Sequence, residues 1–178
     1  VDWDFRTDRL RTDELTVRAA LLDGGGEKAA ASAMALGAHG RLRLDLDDVA
    51  FWWPRGYGRP HLYTARVDLR DTDGRVLDRH ECRLGVRTVD LDRTPTLDED
   101  GRGSFRFVVN GTPVFAKGTN WVPLDAFHSR DRRHYDDVLP MLAELNCNMV
   151  RCWGGNVYED EPFFDCCDAE GVMVWQDF

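Results

Sequence analysis

At 178 residues, 43% of them hydrophobic, the chain has the length and composition of one globular domain of ordinary size or two small ones. Thirty-two acidic residues against 23 basic ones leave a formal charge of −9, which repels phosphate backbones and anionic surfaces and so disfavours nucleic-acid and membrane partners. No apolar run reaches the ~20 residues of a membrane helix, and Val1-Asp2-Trp3-Asp4-Phe5 has neither part of a signal peptide.

The start without methionine leads us to expect that the chain begins inside a longer protein. The five cysteines (Cys82, Cys147, Cys152, Cys166, Cys167) are odd in number and lack C-x-x-C spacing. They read as small buried residues of a reducing, cytoplasmic compartment, with neither a disulfide framework nor a metal site.

From 15 to 90 the pattern is β. Leu15, Val17, Ala19 and Leu21 alternate up to Gly24-Gly25-Gly26, which breaks the run. The Ala-rich segment 27–36 fits a strand by its alternation. Further period-two runs are expected at Leu42-Leu44-Leu46, at 62–69 and at 76–89, separated by turns such as Asp71-Thr72-Asp73-Gly74. Short strands joined this way, without helical periodicity, indicate an antiparallel sandwich over 1–95. Residues 96–104, within a stretch of acids, Gly and Pro, read as an exposed linker between domains.

From 105 to 178 the grammar changes. Phe105, Phe107 and Val109 alternate into Asn110-Gly111, a hairpin signal because both central positions of a type I′ turn need positive φ. Tyr135, Val138, Leu139, Leu142 and Leu145 then fall on one helical face, and Pro140 requires that helix to start near 136 or to kink. An apolar run at 148–153 follows, then a second helix with Asp160 to cap it, Pro162 in its first turn and Gly171 to end it, then a buried run at 172–175. Strand, helix, strand, helix, strand with short loops is the start of a parallel α/β structure, in a barrel or an open sheet.

In either, residues at strand C-terminal ends face the ligand. Asn120-Trp121, Arg151 to Trp153 and Gln176-Asp177 lie at such ends. Indole faces suit sugar C–H surfaces, and Arg, Asn, Gln and Asp suit hydroxyls. A charged residue closing a buried strand needs a partner, and Asp177 on the next strand is the obvious one for Arg151. Trp52-Trp53-Pro54 reads as sandwich core and a turn, Trp175 equally as core or ligand-facing, and His128 and His134 as surface residues.

These runs resemble the β-mannosidases of glycoside hydrolase family 2. The segment 52–63 and Gly85-Val86-Arg87 are similar to the end of that family's immunoglobulin-like domain. Lys117-Gly118-Thr119-Asn120-Trp121-Val122-Pro123 is similar to its first barrel strand. Asn148 to Gly155 with Tyr158-Glu159, followed by Val174-Trp175-Gln176-Asp177-Phe178, resembles the β-mannosidases more than other branches of the family. Asn156 stands where a third glycine is usual.

The resemblance implies a multidomain β plus α/β fold: an immunoglobulin-like β-sandwich followed by the first three strands of a (β/α)8 TIM barrel, incomplete. It implies a retaining hydrolase of terminal β-D-mannose, acting through two carboxyl groups about 5–5.5 Å apart. Arg151 and Trp153 would form the floor of the −1 subsite, lined or braced by Asn120, Trp121 and Asp177. Both catalytic glutamates belong to later barrel strands, so no residue of this chain, Glu159 included, is assigned to catalysis. No cofactor is implied, and a truncated barrel would self-associate through its open edge, repack, or fray there. The competing reading is a non-catalytic β-sandwich module that binds carbohydrate or protein. A nucleotide-binding domain lacks any Gly-x-Gly-x-x-Gly or P-loop run.

Overall fold

The structure is a computed structural model that describes all 178 residues except 9–11, 95, 96 and 98. It is built mostly of β-strands, with two α-helices in the second half. None of its helices is long and apolar enough to cross a membrane.

The described residues form two compact units, 1–49 with 62–84 and 50–61 with 85–178. The first unit holds β1 (Asp2–Asp4), β2 (Thr16–Asp23), β3 (Gly26–Met34), β4 (His39–Arg41), β5 (Tyr63–Arg70) and β6 (Val76–Leu84). Every pairing here is antiparallel: β1 with β4, and a four-stranded sheet in the order β3-β2-β5-β6. Gly24 and Gly25 take φ of 56° and 88° in the β2–β3 turn, where a side chain would be strained. The apolar members of the alternation, Leu15, Val17 and Ala19, form the core with Ala35 and Leu42. Residues 42–46, expected as a strand, are not one. Leu42 and Leu44 do pack against the core, but past Leu42, whose N–H donates to the carbonyl of Val1, the backbone joins no ladder.

The second unit holds β7 (Val89–Arg93), β8 (Phe105–Val109) and β9 (Thr112–Val114), an antiparallel sheet, then β10 (Gly118–Trp121), α1 (Arg132–Glu144), β11 (Met149–Cys152), α2 (Glu161–Glu170) and β12 (Met173–Gln176). Asn110 and Gly111 both have positive φ, 49° and 76°, as the hairpin requires. The run expected over 76–89 breaks after Leu84. Gly85 lies against the Trp52 side chain, and the chain resumes as β7, which pairs with β8 from Val89↔Val109 to Arg93↔Phe105. Beyond Arg93 and Phe105 the pairing is closed by Thr94 and Ser104 through backbone and hydroxyl hydrogen bonds of 2.8 and 2.7 Å, on either side of the expected linker 96–104. Pro95, 96 and 98 lie outside the described residues. The division into units likewise differs from a single boundary near 95.

The strands β10, β11 and β12 pair in parallel, with Asn120↔Arg151↔Trp175 and Thr119↔Val150↔Val174 in register. Helix α1 starts at Arg132, which excludes the late start of the two alternatives, and carries Pro140 in its interior. It buries Tyr135, Leu139 and Leu142. Helix α2 ends at Gly171, φ 70°, as read from the sequence. Trp121, Val150, Cys152, Phe163, Cys167 and Val172 complete the core between sheet and helices. Trp52 is buried as expected, but in this unit: its indole N–H donates to the Asp168 carbonyl at 2.7 Å.

Candidate active site at the strand ends

In a parallel sheet, alternate residues of adjacent strands share a face. The register puts Asn120, Arg151 and Trp175 on one face, and Trp121, Cys152 and Gln176 on the other, toward the helices. On the first face Arg151 is the hub. Its Nη2 and Nε donate to the two carboxylate oxygens of Asp177 at 2.5 and 3.3 Å, and its Nη1 to Asn120 Oδ1 at 3.3 Å. Asp177 also accepts from the Gly154 N–H at 3.4 Å. A forked guanidinium–carboxylate pair fixes both partners, and the Arg151 side chain remains partly exposed. A shallow opening of about 470 Å³ is lined by Gly118, Asn120, Met149 and Arg151.

Trp153 follows directly on β11 and is 48% exposed. Its ring lies over Gly155, where an added Cβ would come within 2.4 Å of it. The structure thus brings Asn120, Arg151 and Asp177 into contact, leaves Trp153 open beside them, and separates Trp121 from the group. Trp121 is 4% exposed and sits 4.9 Å from the Phe163 ring centroid, in the core behind the group. Trp175, open to either reading, packs its ring on Phe105 and Phe107.

A buried polar network behind the site escaped sequence reasoning. Glu159, 7% exposed, accepts from Trp121 Nε1 at 2.8 Å and from the Tyr135 hydroxyl at 2.6 Å. Burial, and then the hydrogen bond to Glu159, push the Tyr135 hydroxyl pKa up. His128, expected at the surface, is half-buried and lies 3.1 Å from buried Asp131 and 3.7 Å from Asp160. The hydrogen bond to Asp131 raises its pKa above the ordinary value. Asp160 sits at the cap position of α2, but its side chain caps nothing there. The only sequence signal for this network was Tyr158-Glu159 ahead of a helix start.

His128, Asp131 and Glu159 have ligand atoms within 4.8 Å of one another, which invites a metal. All four carboxylate oxygens already have partners, however: the indole, the Tyr135 hydroxyl, the Asp125 N–H and the His128 ring. Hydrogen bonds thus engage every carboxylate oxygen of the group, which forms a hydrogen-bond network. Of the five cysteines Cys147, Cys152 and Cys167 are buried, and desolvation pushes the Cys152 thiol up to about 11, which makes it a poor nucleophile.

A family model for glycosyl hydrolases family 2 matches residues 1–87. The chain is 36% identical over 180 residues to a beta-mannosidase B of Thermothelomyces thermophilus, an alignment covering 97% of the chain and 20% of that relative. Residues 1–87 are a glycosyl hydrolases family 2 domain. A beta-mannosidase of Bos taurus is 38% identical over 131 residues, 73% of the chain and 15% of its own length. Among solved structures, a beta-D-mannosidase from Dictyoglomus thermophilum superposes with a TM-score of 0.79 at 35% identity, covering 94% of the chain and 21% of that structure. The chain therefore spans about a fifth or less of the length of these relatives.

Proposed function

We propose that the protein is a retaining glycoside hydrolase that removes terminal β-D-mannose from β-mannosides, and that this chain supplies part of the floor of its −1 sugar subsite. The sheet of the first unit then belongs to an immunoglobulin-like domain, and the parallel strands are the first three of a (β/α)8 catalytic barrel. One observation carries the reading: Asn120, Arg151 and Asp177 meet at the carboxyl ends of three adjacent parallel strands, with Trp153 open beside them, where barrel enzymes bind substrate. Arg151 and Asn120 offer donors and an acceptor to sugar hydroxyls, and the exposed indole offers a face to a pyranose ring. The names of the relatives specify mannose.

Retaining hydrolysis needs one carboxyl group to protonate the leaving oxygen and another to attack the anomeric carbon. Asp177 is committed to Arg151, and Glu159 is buried with both oxygens occupied. Neither is assigned to either role, and the resemblance to the β-mannosidases implies that both catalytic carboxyl groups belong to later barrel strands. The test is Arg151→Ala and Trp153→Ala in the full-length gene product, assayed on a chromogenic β-mannoside. Each is expected to lose a few kcal/mol of transition-state binding, on the order of 100-fold in kcat/KM. Wild-type kinetics with a lowered Tm would refute the subsite, and turnover by the isolated chain would refute the assignment of the carboxyl groups.

A further inference from the structure

Trp153 is half exposed and packs on its own loop. Its ring rests over Gly155, and the turn is closed by the Asn156 N–H donating to the Trp153 carbonyl at 2.9 Å. The near end of the loop is tied weakly, by the Gly154 N–H at 3.4 Å from Asp177. The far end is tied firmly, because Glu159 takes two hydrogen bonds in the protein interior. One comes from Tyr135 on α1, the other from Trp121 at the end of β10. Trp121 is in turn the neighbour of Asn120, which binds Arg151. The buried carboxylate thus connects both sides of the proposed sugar site, yet touches no part of it.

We propose that Glu159 is a positioning residue of the sugar subsite, setting the Trp153 indole through the loop 153–159 and Asn120 through Trp121. The role presupposes the β-mannoside subsite described above. Two short hydrogen bonds to a carboxylate in a water-poor setting are strong and directional. Their removal would leave the buried Trp121 N–H without an acceptor, and the two loops it joins would part or refill the space. A shift of about 1 Å in a group that orients substrate can cost on the order of 100-fold in rate.

The experiment compares Glu159→Leu, Glu159→Gln and Leu139→Ala in the full-length gene product, at a temperature well below every variant's Tm, on a chromogenic β-mannoside. Leu139 is buried in the same core and, having an apolar side chain, makes no hydrogen bond in the network, so it serves as a control for destabilisation. Glu159→Leu is expected to lose on the order of 100-fold in kcat/KM, mostly in kcat. Glu159→Gln, whose amide oxygen still accepts from the indole, recovers most of that loss, while Leu139→Ala lowers Tm and leaves kcat/KM near wild type. Should Glu159→Leu fail to fold, Glu159→Asp, one methylene too short to reach both donors, takes its place with the same expectation. The proposal is overturned if Glu159→Leu changes Tm alone, or if Glu159→Gln is as impaired as Glu159→Leu. Absence of β-mannosidase activity in the unsubstituted protein refutes the subsite itself, and with it any part for Glu159.

Discussion

Asp68 is a carboxylate in the middle of β5, 1% exposed, and its replacement by Asn should unsettle the four-stranded sheet in a pH-dependent way. Directly across the ladder stands Arg79, which donates through Nε at 2.7 Å and Nη2 at 3.2 Å, while Arg70 donates at 2.6 Å. The Arg79 hydrogen bonds, helped by those of Arg70 and opposed by burial, hold the carboxyl down at about 2, from an ordinary 3.8. At about 1.36 kcal/mol per pH unit, that difference is worth roughly 2 kcal/mol of folding stability. Because the folded value is the lower one, the contribution is complete above about pH 4 and lost as pH falls through about 2. Asp68→Asn removes the charge, so hydrogen exchange of β5 and β6 amides at pH 7 should quicken by about 30-fold, the equivalent of 2 kcal/mol. Denaturant unfolding should show the gap between wild type and variant narrowing from pH 4 toward pH 2. Equal exchange at pH 7, or a gap indifferent to pH, would show that the arginines gain as much from water as from Asp68.

Three further outcomes are expected. An added Cβ at Gly118 would lie 1.9 Å from the Met149 carbonyl oxygen, a backbone atom with nowhere to go, so Gly118→Ala should part β10 from β11, cost about 1–3 kcal/mol as overpacking and lower Tm; an unchanged Tm refutes the close approach. His128 has a raised pKa, so its contribution is full below the unfolded value of 6.5 and lost as pH rises through the folded one. The Tm difference between wild type and His128→Gln should therefore be larger at pH 5.5 than at pH 8.5, and the reverse order would refute the pairing with Asp131 and Asp160. Finally, β10 and β12 each keep one unpaired edge, a template for strand addition, so the isolated 178-residue chain should self-associate through residues 105–178; a monodisperse monomer by light scattering with that region protected from exchange would rule this out.

Much of the scaffold was legible because its signals are local. Asn110-Gly111 demanded positive φ at two successive residues, and both have it. Gly171 could end α2 without a Cβ penalty, and does. Period two and period 3.6 separated the antiparallel from the strand–helix half. What failed depended on partners distant in sequence. Leu42 and Leu44 alternate like a strand because they are buried alternately, while the backbone there joins no ladder. The acids of β7 hid its pairing with β8, since every residue of the strand but Asp92 is exposed and no buried alternation marks it. At the site, strand register was enough to join Asn120, Arg151 and Asp177. It could not tell which of the neighbours Asn120 and Trp121 would face the ligand, because one residue of phase reverses the two faces. Nor could spacing reveal that Asp131 and Glu159, 28 positions apart, belong to one interior network.

The segment 50–61 belongs with 85–178, although the residues on either side of it belong to the first unit. Its ties are long: Trp52 Nε1 to the Asp168 carbonyl spans 116 positions, and Arg55 to Glu170 spans 115. At roughly 5–20 residues per second of synthesis, Trp52 is synthesised about 6 to 23 seconds before its acceptor. Throughout that interval β5 and β6 can complete their sheet, while the apolar Phe51-Trp52-Trp53 run between the first unit's strands stays unsatisfied. The nascent chain is then most open to chaperones or to mispairing there, and slower or faster translation downstream of residue 85 would change how long that exposure lasts.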